Sequence, residues 1–264
     1  MTKKLSQQKY WNNVHRNRSI AIKSILNFPI IRDIAIGFHN RDLYKICKRY
    51  FSKNHKGIFE IGCAPGNYLV QFHKRFWFKV GGVEYSKDGI NILKRNLKKN
   101  NIQWDIVYWD FFDEKFIREN KDKHDIVFSL WFIEHFSDPR TAIDNHFKIA
   151  KKWGLVIMTI PNLYYMNRYL TSKEILNIHN LDIMKLQVLK RRLKGHKTLY
   201  LNYFGWLFNF WAFSYKNFFI EKLRFGLFIL QRLLLDPIFI LIRLIWINLS
   251  NKYTSPSIII IAKK

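Results

Sequence analysis

Three carboxylates stand where apolar runs of the chain end. Glu60 lies in Phe59-Glu60-Ile61-Gly62-Cys63-Ala64-Pro65-Gly66-Asn67, where an apolar run turns on small residues and passes into a helical segment. Gly62 and Gly66 admit backbone conformations, or the close approach of a ligand, that a Cβ would hinder. The backbone amides there, with the helix N-terminus behind them, face an anionic or polar ligand group. Glu84 ends the next apolar run, 24 residues after Glu60. An acid at that strand end can accept two hydrogen bonds from a ribose diol. Asp110, followed by Phe111, ends the third run. A carboxylate there can accept from an adenine amino group while apolar neighbours sandwich the base. One glycine turn alone is a common strand-to-helix connection, but acids at three successive strand ends form a much more specific pattern.

The elements that must position these groups alternate. Strands are expected at 57–62, 80–84, 104–110, 125–130 and 154–160, the last stopped by Pro161. Helices are expected at 40–53, 68–76, 86–99 and 138–152, and Tyr10, Trp11 and Val14 are spaced for one helix face near the start. Apolar strands alternating with helices imply a parallel sheet covered on both faces. The fold expected is an α/β, Rossmann-like doubly wound sheet with its ligand at the carboxyl ends of the strands. A last run, Ser257-Ile258-Ile259-Ile260-Ile261-Ala262, is a strand that can return to it.

On these residues the chain resembles the class I S-adenosylmethionine-dependent methyltransferases, of the small-molecule type similar to the ubiquinone-biosynthesis O-methyltransferases. The resemblance covers roughly residues 56–162, with weaker echoes at Tyr10-Trp11 and the final strand. The family's acid-x-Gly-x-Gly-x-Gly turn is met by Glu60, Gly62, Ala64 and Gly66, with Ala64 in place of the middle glycine and Asn67 next in line. The resemblance makes Glu84 the ribose acid, Tyr85 its neighbour packed on adenine, and Asp110 and Phe111 the adenine-contacting pair. It places Ser129 and Leu130 near the methionine part of S-adenosylmethionine. In Ser129-Leu130-Trp131-Phe132-Ile133-Glu134-His135-Phe136 it matches the family's Glu-His. His135 is then the candidate general base, since imidazole titrates near neutrality, with Glu134 orienting it or touching the acceptor. Some relatives hold a divalent ion with an acid-x-x-acid-His arrangement. Trp131 stands at the first acid, so no metal is expected, although Glu134, His135 and His146 remain available donors. Nothing calls for a second nucleotide, and nicotinamide cofactors fit poorly.

Lys and Arg number 45 against 19 Asp and Glu, a net charge of +26, which attracts polyanions. An AT-rich coding bias toward Lys, Asn, Ile and Phe explains the same excess. Two cysteines, Cys47 and Cys63, exclude a disulfide framework. The first residues lack the apolar stretch of a signal peptide, and a cytoplasmic location, peripheral to the inner face of a membrane, is expected. Residues 199–215 hold nine aromatics and no charge, and 225–249 hold only Arg232, Asp236 and Arg243 among apolar residues. At 100° per residue those three share one stripe, which fits a helix lying in a membrane interface better than one crossing it, Pro237 marking a kink. The expected division is a helical segment over 1–55, the cofactor-binding core over 56–162, an aromatic and apolar substrate cap over 163–250, and the returning strand over 251–264. The activity expected is methyl transfer to an oxygen or nitrogen of a small or lipid-linked acceptor. The alternatives are an RNA methyltransferase, drawing on Lys185, Lys190, Arg191, Arg192, Lys194 and Lys197, and a non-catalytic binding protein of the same fold.

Overall fold

The apolar runs assemble into a seven-stranded sheet. The computed structural model describes residues 4–15, 40–205 and 250–264, and singly Leu223, Gly226, Leu230 and Leu234. Strands β1 (Gly57–Ile61), β2 (Lys79–Glu84), β3 (Trp104–Tyr108), β4 (His124–Leu130) and β5 (Ala150–Pro161) are parallel. Strands β6 (Lys197–Phe204) and β7 (Ser257–Lys263) add antiparallel pairs, giving the order β3-β2-β1-β4-β5-β7-β6. The chain works outward from β1 to β3 and then returns to the other side of β1 as β4. The carboxyl ends of β1 and β4 therefore flank the point where the winding reverses, the place where open α/β sheets bind ligands.

Helices cover both faces. Residues 8–15 and 40–48 form α1 and α2. They are followed by α3 (Asn67–Phe76), α4 (Lys87–Lys99), α5 (Glu114–Asn120), α6 (Arg140–Ile149), α7 (Lys173–Asn177) and α8 (Leu186–Arg192). Helix α4 shows why the sequence folds so. The Ser86 hydroxyl caps it by accepting from Gly89 N at 3.0 Å. Ile90, Leu93 and Leu97 fall on its buried face, and Lys98 and Lys99 close its negative end. Leu93 and Leu97 join Leu43, Leu69 and Phe72 against Ile58, Ile126 and Ile157 of the sheet. Phe116, Ile143, Phe147 and Leu189 cover the opposite face, over Phe59, Val127 and Val156. Alternate residues of one strand thus reach different cores, the reason the strands read as unbroken apolar runs. Ile258 to Ile261 of β7 are all fully buried, two facing each core.

Several expectations change. β3 stops at Tyr108, so Asp110 sits two residues past the strand, in the turn that leads to α5. That helix was not foreseen; Asp113 caps it by accepting from Lys115 N at 2.8 Å. The helix expected over 138–152 ends at Ile149, because the chain straightens into β5 from Ala150. The cap expected over 163–250 is partly sheet. Residues 163–193 hold short helical turns, but Lys197–Phe204 pair with β7 as the edge strand β6. Leu201 and Tyr203 pack on one core and Tyr200 and Phe204 on the other, with a register shift between Thr198 and Tyr200. Most of the apolar segment 225–249 and the aromatic part from 206 to 215 lie outside the described residues. Among the described residues, no helix is long and apolar enough to cross a membrane.

Candidate functional site

The turn after β1 carries the first part of the site. Gly62 has φ +67° and Gly66 φ +86°, conformations costly to a residue with a Cβ. Gly66 is also the residue from which α3 starts, and a Cβ built on it would lie 2.3 Å from Leu93 Cδ1. Gly62 N donates to Val83 O at 2.9 Å, which draws the turn onto the end of β2. Asn67 Oδ1 accepts from Asn96 of α4 at 3.0 Å. The peptide bond between Ala64 and Pro65 is cis.

Glu84, the last residue of β2, reaches back over this turn. One carboxylate oxygen accepts from Ala64 N at 3.2 Å and the other from Ser86 N at 2.7 Å. Burial raises its pKa, against the opposing pull of these amides. Each oxygen keeps a lone pair beyond its amide partner, so the group retains the capacity to accept from a diol. Glu60 is different. It lies in β1 on the face covered by α2 and α3, 3% exposed, and one of its oxygens has no partner. Burial first, and the Glu84 charge second, raise its pKa well above the carboxylate range.

Asp110 accepts from Phe112 N at 3.0 Å, a local turn that aims Phe111 inward. Phe111 is consequently buried in the core against Phe132 and His146. Phe111, expected to contact adenine with Asp110, has its ring in the core, while the half-buried Phe112 shares Lys4 with Asp110. The N-terminal segment closes over these groups. Lys4 Nζ lies 2.7 Å from Asp110 Oδ2 and 5.3 Å from the centroids of both the Tyr85 and Phe112 rings. Gln8 Nε2 donates to Tyr85 O, and the Ser86 hydroxyl donates to Asn12 Oδ1 at 2.7 Å. Lys4, Gln8 and Asn12 were missed by sequence reasoning. Gln8 and Asn12 lie four apart on the polar α1 and Lys4 precedes it in a bridge to Phe136, so no local spacing marks the three.

Past β4 the second half of the site begins. Ser129 is fully buried, its hydroxyl without a partner, and Leu130 ends the strand half-buried. Trp131 takes φ +54°, rare for so large a side chain, and its indole N–H is buried without a partner. Glu134 and His135 lie on a single 3₁₀ turn. Glu134 is fully buried with both oxygens unpartnered, and burial raises its pKa well above the carboxylate range. His135 Nδ1 lies 2.8 Å from Ile178 O, which fixes that nitrogen as the N–H and leaves Nε2 with its lone pair. Its Nε2 is 3.9 Å from Glu134 Oε1, and its ring meets Trp11 edge-on at 4.9 Å. Burial, with a smaller push from His179, drives its pKa down to about 3. His179, another residue the sequence did not single out, brings a donor atom within 4.8 Å of those of Glu134 and His135. His146 is elsewhere, bonded to Ala142 O within α6 and set against Phe111.

The chain's likenesses agree with this geometry. Residues 38–199 match a family described as a methyltransferase domain. A ubiquinone biosynthesis O-methyltransferase from Pelagibacter ubique is 27% identical over 149 residues, which is 56% of this chain and 55% of that protein. The chain thus spans about half the length of this curated relative. A SAM-dependent methyltransferase from Archaeoglobus fulgidus superposes with a TM-score of 0.52 at 17% identity, over 84% of this chain and 91% of that one. Phosphoethanolamine N-methyltransferase 2 from Haemonchus contortus, solved with S-adenosyl-L-methionine, superposes with a TM-score of 0.53 at 17% identity, over 85% and 52%. The chain belongs to the methyltransferase-domain family, and its fold is that of the class I S-adenosylmethionine-dependent methyltransferases.

Proposed function

We propose that this chain transfers a methyl group from S-adenosylmethionine to an oxygen or nitrogen of a small or lipid-linked acceptor. The observation that carries the reading is the Glu84 carboxylate, placed on the amide of Ala64 in the glycine turn. Glu84 would hold the ribose hydroxyls, Asp110 with Tyr85 and Phe112 the adenine, and the Gly62–Gly66 turn, Ser129 and Leu130 the amino-acid end. The bound cofactor supplies an activated methyl on a sulfonium, so the protein's work is position and the exclusion of water. His135 is the proposed base. Nδ1 is anchored on Ile178 O and the ring is uncharged at neutral pH; with its pKa pushed down it is a weak base, suited to take at Nε2 a proton that becomes acidic only as the acceptor is methylated. Glu134, held protonated by burial, lies beside that nitrogen, 3.9 Å from Nε2.

The Pelagibacter ubique relative is named for O-methylation in ubiquinone biosynthesis. That name and the apolar composition of 225–249 support an acceptor carrying a lipid tail, with the protein peripheral to a membrane through that segment. Residues 163–250 would then shape acceptor choice. The test is transfer of labelled methyl from S-adenosylmethionine into separated lipid, RNA and small-metabolite fractions. Label in the lipid or metabolite fraction supports the proposal, and label confined to RNA refutes it.

A further inference from the structure

At the carboxyl edge of β5, next to the site, aromatic rings and cations form one ladder, half-buried at Lys185, Tyr164 and Tyr165 and exposed at Tyr253 and Lys252. Lys185 Nζ lies 4.1 Å from the Tyr164 ring centroid, Tyr164 meets Tyr165 at 5.1 Å, and Tyr165 meets Tyr253 at 5.7 Å. Lys252 Nζ completes it, 4.8 Å from Tyr253. Tyr169 is 86% exposed and Tyr253 50%, with Met166 and Arg168 open beside them. Exposed rings next to cations make this edge a candidate contact surface.

The ladder is held stiffly. Asn162 Nδ2 donates to Lys252 O at 2.9 Å and Ser255 O at 2.8 Å, and Asn167 Nδ2 donates to Asn162 O at 2.9 Å. The Ser255 hydroxyl donates to Gly205 O at 2.8 Å, which ties the ladder to the end of β6. Two loops, 162–169 and 250–256, are thereby locked together by buried amides. From Gly205 to Ser250 the chain runs through 44 residues, 206–249, whose composition is dominated by Leu, Ile, Phe and Trp.

We propose that this tyrosine–cation ladder is an interfacial collar that seats on an anionic phospholipid surface. Tyrosine rings settle at headgroup depth, with the hydroxyl in water and the ring against the acyl boundary. Lys252 and the exposed Arg168 supply the cations of this edge that are unpaired among the described residues, while Lys185 is paired with Asp182 at 3.3 Å. A single-stranded nucleic acid also takes rings and cations. The apolar 206–249 rooted on the same edge favours lipid, since it offers a phosphate backbone few charges. The collar rests on the proposed membrane contact and deepens it, adding a second, structured set of contacts.

The experiment uses the full chain and co-sedimentation with phosphatidylcholine vesicles, with and without phosphatidylglycerol. Wild type is expected to sediment with the anionic vesicles and weakly with neutral ones. Arg168→Glu with Lys252→Glu should weaken anionic binding at least tenfold, at about fivefold per surface charge lost. Tyr169→Ser with Tyr253→Ser should lower binding to both vesicle types. Two results would overturn the collar: wild-type binding in both double variants, or wild type that ignores vesicles but binds an RNA oligonucleotide. Stabilisation by S-adenosylmethionine, measured on the same samples, should be unchanged by either pair. Its absence in wild type would count against the methyltransferase reading and leave the lipid result standing.

Discussion

Replacing Gly66 by alanine attacks the turn on two counts that can be measured apart. At φ +86° a Cβ costs about 1–2 kcal/mol, because it crowds the following carbonyl. That Cβ would also stand 2.3 Å from Leu93 Cδ1, far inside contact distance. Forcing Leu93, itself fully buried, out of its rotamer costs about 1–3 kcal/mol more. The expected loss is about 2–5 kcal/mol, read as a lower urea midpoint with an unchanged slope. Leu93→Ala removes the obstructing methyl at its own cavity cost of about 2–5 kcal/mol. In that background Gly66→Ala should cost only the backbone part, giving a coupling of about 1–3 kcal/mol in the double-mutant cycle. Additive effects would refute the packing geometry, and a Gly66→Ala protein as stable as wild type would refute the left-handed turn itself.

The buried pair past β4 should titrate in opposite directions. Glu134 is held protonated when folded and ionises when unfolded above its ordinary 4.5, so stability falls as pH rises above that value. Glu134→Gln should then stabilise by up to about 3 kcal/mol at pH 7 and hardly at all at pH 4.5. His135, pushed down to about 3, stays neutral when folded while the unfolded chain takes up a proton below 6.5. Its contribution is lost as pH falls through that window, about 2 kcal/mol by pH 5, and His135→Gln should flatten this acid limb. Urea midpoints from pH 4.5 to 8 check both, and slopes identical to wild type would refute the burial of the pair. In turnover, His135→Gln should lower kcat by about 10²–10⁴ with S-adenosylmethionine affinity intact. An unaltered kcat in single-turnover methyl transfer would remove His135 as the base.

Much of this architecture was legible because buried parallel strands need unbroken apolar runs. The isoleucines of 258–261 and the alternation around Glu60 and Glu84 leave few other folds open. Glu84 was legible for the same reason: an acid at the end of such a run has nowhere to point but the crevice. Phe111 and Phe112 could not be ordered from sequence, since which ring turns inward depends on the Asp110 turn. Lys4, Gln8 and Asn12 reach the site from 106, 77 and 74 residues away in the chain, a closure that no local spacing encodes. His179 meets Glu134 only through the path of α7. β6 was hidden because an edge strand beside an aromatic run resembles a continuous apolar cap.

The central claim is that Glu84 and the glycine turn form a nucleoside pocket. Titration of S-adenosylmethionine into wild type and Glu84→Gln, followed by calorimetry and melting temperature, tests it most directly. At a hundred times its Kd the cofactor should stabilise wild type by about 2.7 kcal/mol. Glu84→Gln should bind about 10- to 100-fold more weakly, the loss of a charged acceptor worth about 1.5–3 kcal/mol. A wild-type melting curve indifferent to saturating S-adenosylmethionine, or equal affinity in the two proteins, would contradict the account.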